Sequence, residues 1–396
     1  MRRLACLAAS VLAGCGARTP PPPPLDVATS AQFSVTADWP GYGRDLAGTR
    51  YSPLKQINAN NVGDLRQAWS FPLDAPATDG PATVWEFTPL VVGGVLYTAA
   101  AGRIVALAAE SGDEIWQQPF EAGAGVPRRA LEYWPGERGQ AARIFALVGR
   151  RLVALDAANG RKVPSFGVGG EVELPVSFHA APMLFEDRLI VGSTTGSGSV
   201  RAYDVRTGAQ LWVFAATPPG TDDTVNAVHA VSSFTLDVDR ALLYAGFAST
   251  SASSPDHPLG SAVVALDART GVRRWHYQLV HHDLWGYDVP APPALVDVPA
   301  NDGTRVPALA LFGRSGYLYL LNRATGEPIV GIPETPVAKS DVPGEQSSGT
   351  QPIPVKPPPI ARVAFAAEDI VSALDTNEEH AKFCRDLRER SGGLAN

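Results

Sequence analysis

Hydrophobic runs of strand length recur along the chain, and each closes on the same polar signal. Ile104 to Leu107 is the clearest case: four apolar residues lead through Glu110 and Ser111 to Gly112, and Trp116 comes four residues later. The same order appears at Leu155, Asp156, Asn159 and Gly160, at Tyr203, Asp204, Gly208 and Trp212, at Leu266, Asp267, Gly271 and Trp275, and at Leu321, Asn322 and Gly326. The five glycines, 112, 160, 208, 271 and 326, stand 48, 48, 63 and 55 residues apart. A period of this size belongs to propeller blades or solenoid units. Each unit reads as strand, tight turn, strand. The Asp or Asn side chain caps the turn and the glycine takes the positive φ that the turn requires. The indole opens the returning strand and is large enough to fill the gap between one four-stranded sheet and the next. The pattern predicts an all-β chain whose sheets stack radially.

Composition agrees. The 396 residues are 45% hydrophobic and 18% charged, with 38 Gly and 35 Pro, the turn-dense profile of an all-β repeat protein. A net charge of -7 with no basic run argues against a nucleic-acid surface and leaves small molecules as partners.

The N-terminus reads as an export signal over residues 1–14. Arg2 and Arg3 form its charged region, Leu4 to Leu12 a short apolar region, and Leu12 to Cys15 (LAGC) a bacterial lipobox, with Cys15 as the lipidated residue. The apolar run is too short to span a bilayer. Residues 15–38 form a proline-rich spacer, stiffest at Pro20 to Pro24. Localisation is thus expected at the periplasmic face of a bacterial membrane. Cys384 is then the one thiol of the mature chain, and no haem-attachment motif is present, so an electron acceptor must be a separate molecule. Near the C-terminus, Thr376 to Glu379 reads as a capping box opening a helix with Ala381, Cys384 and Leu387 on one face.

Several segments carry a resemblance. Trp39 to Leu54 (WPGYGRDLAGTRYSPL), Glu86 to Pro89 (EFTP), Arg129 to Pro135 (RALEYWP), His281 to Trp285 (HHDLW), Val342 to Glu345 (VPGE) and Gln351 to Pro354 (QPIP) are similar to the pyrroloquinoline quinone (PQQ) dependent dehydrogenases, nearest the glucose, quinate and polyol enzymes. The resemblance implies an eight-bladed propeller of four-stranded blades over residues 39–396. Five blade signatures are present, so the ring is expected to be incomplete and truncated at its C-terminal side relative to the family. It also implies PQQ near the axis beside Ca²⁺ or Mg²⁺, a polyol, aldose or alcohol as substrate, and a quinone pool as electron acceptor.

By resemblance, Arg50, Glu86, Arg129 and Arg314 fall at cofactor contacts, and a guanidinium fork suits adjacent quinone carbonyls. The proton-abstracting Asp of the family falls on Gly286, which cannot accept a proton. Asp288 and Asp283 are the rescue candidates; in a strand Asp288 would share the face of residue 286. The loop from Gly192 to Ser199 is short and carries no acidic residue or Asn for a metal, Ala248 and Ser249 replace an expected Gly and Asn, and Val231 replaces the Trp on which the quinone stacks. Metal ligands are therefore unknown. His281 and His282, adjacent on a strand, would project to opposite faces and could not chelate one ion. A dehydrogenase with an impaired site is the first expectation; a non-catalytic periplasmic propeller used as a binding scaffold is the alternative.

Overall fold

The structure, a computed structural model, describes residues 38–73, 87–100, 102–121, 130–137, 139–176, 181–193, 198–217, 228–230, 233–249, 257–300, 303–340, 342–343, 345–361, 363 and 369–390. Its strands form consecutive antiparallel sheets. The first holds Leu90–Val92 (β1), Val95–Ala100 (β2), Arg103–Ala108 (β3) and Glu114–Pro119 (β4) in that order. Glu132–Trp134 (β5), Arg143–Val148 (β6), Arg151–Asp156 (β7) and Glu171–Glu173 (β8) make the second. The third contains Met183–Phe185 (β9), Arg188–Gly192 (β10), Ser199–Asp204 (β11) and Gln210–Ala215 (β12). In the fourth, Val228–Ala230 (β13) and Thr235–Asp237 (β14) both pair with Leu242–Ser249 (β15), which is joined in turn by Ala262–Asp267 (β16) and Arg273–Gln278 (β17). The fifth has three strands, Ala294–Pro299 (β18), Arg305–Phe312 (β19) and Leu318–Asn322 (β20), and a separate hairpin joins Glu334–Pro336 (β21) to Thr350–Pro352 (β22). Among the described residues one α-helix, Glu378–Arg390 (α1), comes last, and a 3-10 turn at Val62–Asp64 precedes the first sheet.

Middle strands are buried on both faces, which explains their continuous apolar runs. Every residue of β6 is buried, and its side chains divide by parity: Ile144, Ala146 and Val148 pack with the first sheet, Phe145 and Leu147 with the third. β15 repeats the pattern, with Leu243, Ala245 and Phe247 toward the third sheet and Leu242 and Tyr244 toward the fifth. Four apolar clusters thus lie between consecutive sheets, the face-to-face stacking expected of blades.

The repeated turn supplies the lock. Asp204 Oδ1 accepts from the N–H of Arg206 (3.0 Å) and Thr207 (2.7 Å), and Asp267 Oδ1 does the same for Arg269 and Thr270 (3.0 Å each). These caps hold the turn so that Gly271 sits at φ 73°, where any Cβ would also meet Trp212 Cε3 at 2.5 Å. Glycine is required for both reasons. The indole of one sheet therefore lies flat on the bare turn of the next. Trp116 lies on Gly160, Trp212 on Gly271 and Trp275 on Gly326, while Trp69, ahead of β1, covers Gly112. Trp116 and Trp212 also donate to the carbonyls of Ala157 (3.0 Å) and Ala268 (3.2 Å). The third turn departs from the repeat: Gly208 is covered by Val172 of β8 and by Phe166, since no Trp comes after Gly160 in the second unit.

Two expectations change. The cap of α1 is Asn377, whose Oδ1 accepts from His380 N–H at 2.9 Å; His380, not Glu379, is the third helical residue, so no capping box forms. Of the shared face, Ala381 is buried and Leu387 is exposed. Replacing Trp212 by Ala is expected to cost about 3 to 5 kcal/mol in chemical denaturation. Val172→Ala should cost less, because the half-buried side chain is smaller.

Candidate functional site

The segment from Leu279 to Pro293 connects β17 to β18 without entering a ladder. Its first residues are clamped by the β21–β22 hairpin. His281 N–H donates to Gln351 Oε1 and Gln351 Nε2 donates back to His281 O, both at 2.8 Å. The His281 ring spans Gln278 Oε1 (2.8 Å) and Glu334 Oε1 (3.0 Å). Its far end is tied to the fifth sheet: Val289 is fully buried with Leu309 and Tyr319, and the Asp288 carbonyl accepts from Arg314 N–H at 3.1 Å.

Between these anchors the chain reverses. Asp283 Oδ1 accepts from Trp285 N–H at 3.0 Å, its Oδ2 accepts from Ser261 Oγ at 2.5 Å, and Gly286 adopts φ 72°. Asp283 is thus engaged in shaping the turn. The strand geometry that would align residue 288 with residue 286 is absent, and the positive φ of Gly286 redirects the backbone before it reaches Asp288. The two histidines are likewise not on a strand: His282 has φ 43° and His281 sits in a bend. A Cβ at Gly286 would meet nothing within 4 Å. Trp285 and Tyr287 stack at 5.6 Å with an interplanar angle of 23°, and both remain exposed.

Asp288 and Arg314 meet. The carboxylate Oδ1 lies 2.9 Å from Arg314 Nε, at hydrogen-bond distance but with the N–H not aligned on it. The Asp288 side chain is 12% exposed and that of Arg314 is 59% exposed. Burial pushes the Asp288 carboxyl above the ordinary aspartate value, Arg314 pulls it back, and Asp283 adds a smaller push upward. The result is a desolvated carboxylate beside a half-open guanidinium.

Other expected positions fall elsewhere. Arg50 is exposed, at φ 50°, with its guanidinium 5.3 Å above the Tyr42 ring. Ala248 and Ser249 end β15, where Ser249 pairs with Val228. Glu86, Arg129, Val231, Cys15 and residues 194–197 of the short loop lie outside the described residues. Among the described residues no group of three His, Cys, Asp or Glu comes together to hold a metal. Sequence reasoning missed Ser261 and Glu334, and the role of Gln351, which together set the shape of the loop; Gln351 stood in a resembling segment, but it lies 70 residues from the His281 backbone it holds.

The model of one family, "PQQ: Glucose/ethanol/alcohol dehydrogenase, beta-propeller domain", matches residues 39–392. The chain belongs to this family. It is 30% identical to quinate/shikimate dehydrogenase (quinone) of Acinetobacter baylyi over 85% of this chain and 49% of that protein. It is 33% identical to quinoprotein glucose dehydrogenase of Escherichia coli over 80% of this chain and 46% of the relative. A solved structure, quinohemoprotein alcohol dehydrogenase from Comamonas testosteroni, superposes with a TM-score of 0.66 at 26% identity, covering 82% of this chain and 53% of that one. The chain spans about half the length of the relatives it matches.

Substituting Arg314 by Met removes the one cation that lowers the Asp288 carboxyl, so its pKa should rise further. A raised folded pKa gives stability that is complete at low pH and lost as pH climbs through the folded value. Urea unfolding across pH is expected to show this loss at higher pH in R314M, and to lose the dependence in Asp288→Asn.

Proposed function

We propose that this chain forms the propeller part of a PQQ-dependent dehydrogenase that oxidises a polyol, aldose or alcohol and passes the electrons to a quinone pool. The observation that carries the reading is the Asp288 carboxylate, desolvated and paired with Arg314, on the loop between the fourth and fifth sheets. A carboxyl with a raised pKa stands nearer the working pH, where proton abstraction is efficient. Asp288, ionised, would take the proton of a substrate hydroxyl. Arg314 would hold that carboxylate in place and direct its remaining N–H groups, on the open side, at carbonyl or carboxylate oxygens. The exposed Trp285–Tyr287 pair would give a ring-shaped substrate a flat apolar wall. Asp283, through Ser261 and Trp285 N–H, would set the turn that places them. PQQ, when bound, supplies the quinone that accepts the two electrons, and Arg314 is the described residue suited to hold its oxygens. The described residues do not fit a divalent cation, which needs six or more oxygens; Asp283 is engaged with Ser261 and Trp285, and Asp288 with Arg314.

The family name and the relatives named as quinate, glucose and glycerol dehydrogenases support the substrate class. We further propose export and lipid anchoring through Cys15. Among the described residues no helix is long and apolar enough to cross a membrane.

Gly286 favours a second reading, a propeller that binds without catalysis. With no side chain where the resemblance places the abstracting Asp, and open space around it, the site has lost a group rather than exchanged it. Assay of the full chain with PQQ, Ca²⁺, an artificial dye and a panel of alcohols and sugars separates the two. The catalytic reading expects turnover that rises with pH as Asp288 ionises and falls by about 10² to 10⁴ in Asp288→Asn. Gly286→Asp should raise turnover, since Asp tolerates positive φ better than most residues and meets no neighbour there. Absence of both turnover and PQQ retention in either chain would establish the scaffold.

A further inference from the structure

We propose that the cavity between the 38–46 segment and β5 binds a small neutral molecule with an apolar body and one acceptor oxygen, an alcohol or ketone, through the carboxylic acid of Glu132. The cavity holds about 610 Å³ and is walled by Tyr42, Tyr133, Met183 and Phe234, with Glu132 at its side. It takes residues from the first four sheets and from the segment that crosses them, and shares none with the loop that carries Asp283 and Asp288.

Glu132 is 8% exposed. Leu184 N–H donates to its Oε1 at 3.2 Å, and among the described residues no group bonds to Oε2. Burial pushes this carboxyl well above the usual glutamate value, with the Leu184 bond pulling weakly the other way. The neutral acid has one carbonyl oxygen and one hydroxyl. Oε1 receives an N–H and is therefore the carbonyl, which leaves the proton on Oε2. Gly41 keeps the approach to Oε2 open, since a Cβ there would stand 3.3 Å from it. The cavity thus presents the Glu132 hydroxyl as a donor among apolar and aromatic walls, the arrangement of a small-molecule site.

Three further polar side chains of the wall are engaged. Asp38 Oδ1 accepts from Gly93 N–H (3.1 Å), Asp45 accepts from the backbone and hydroxyl of Thr49, and Ser233 Oγ accepts from Ala181 N–H (3.2 Å). A polyol would bury hydroxyls without partners against Phe234 and Met183, at a cost for each. A cation would require Glu132 to ionise while buried. A molecule with a single acceptor oxygen meets neither penalty.

Cyclohexanol and cyclohexanone are the probes, titrated calorimetrically into the full chain without PQQ, with cyclohexylamine as the charged comparison. The charged or titratable groups facing Glu132 are Asp38, Arg44 and Asp45 from the crossing segment, Tyr42 beside them, and Tyr133 from β5. Affinity for both neutral probes should fall as pH rises through the folded pKa of Glu132, because the ionised acid loses its donor. Glu132→Gln keeps an acceptor for Leu184 and an N–H for the cavity, so binding should persist with a flat pH profile. Glu132→Leu should weaken it about tenfold, and Gly41→Ala, which leaves Glu132 intact and places a methyl before Oε2, should do the same. Thermal melting identifies any variant that does not fold, in which case Gly41→Ala and Glu132→Gln decide. Failure of both neutral probes to bind the wild-type chain, unchanged affinity in Gly41→Ala, an unaltered pH profile in Glu132→Gln, or tighter binding of the amine would overturn the assignment.

Discussion

An indole lying on a glycine turn is the contact on which the architecture depends. A turn capped by its own Asp or Asn has a flat outer surface only if the residue at positive φ lacks a Cβ, and only then can Trp approach to van der Waals contact. The pairing of Trp116 with Gly160 and of Trp212 with Gly271 thereby fixes the spacing and angle of neighbouring sheets. Hydrophobic burial supplies most of the stabilisation, but it is indifferent to orientation. The turn and the indole give it one, and the N–H bonds to Ala157 and Ala268 remove the last freedom of the ring.

The fourth contact shows how far the device can vary. Trp275 covers Gly326, yet its Nε1 has no partner among the described residues, and the equivalent carbonyl, that of Arg323, accepts instead from Tyr244 Oη at 2.7 Å. Arg323 itself is buried, 2.9 Å from Asp237 and 3.5 Å from Asp297. A desolvated ion pair contributes less net stability than its short distances imply, but its geometry is exacting. Through Arg323 it joins β14 of the fourth sheet to β18 of the fifth. Charge supplements the repeat at other interfaces too, where Arg206 pairs with Glu137 and Arg269 with Glu186.

The ion pair of Asp288 with Arg314 shows the same economy. Neither residue belongs to a turn signature, and the loop holding Asp288 has no ladder of its own. Its conformation comes from its attachments: His281 to Gln351 at one end, Val289 in the apolar cluster at the other, and Asp283 bent onto Ser261 between them. Glycine at 286 is compatible with this course because φ there is positive. A site carved from a loop clamped at both ends can lose one chemical group without losing its shape, and the chain combines a well-formed loop with a bare position at 286.

The repeat, the strand-turn-strand units and the family were legible in the chain because each depends on residues within a dozen positions of one another. Asp204 and its Thr207, or Gly271 and the Trp275 four residues on, declare themselves locally. The cap of α1 was misplaced by one residue, since Thr376 and Asn377 are both good caps and only backbone geometry chooses between them. The place of Asp288 could not be read by strand parity, because parity holds only where a ladder enforces it. Glu132 was part of a matched segment, but nothing near it in sequence tells that its neighbours are Gly41 and Leu184, 91 and 52 residues away. Local chemistry, then, determined the turns, the blades and their order. Desolvation, which sets the charge of Asp288 and of Glu132, is a property of what surrounds a group, and those surroundings exist only once distant sheets have been stacked.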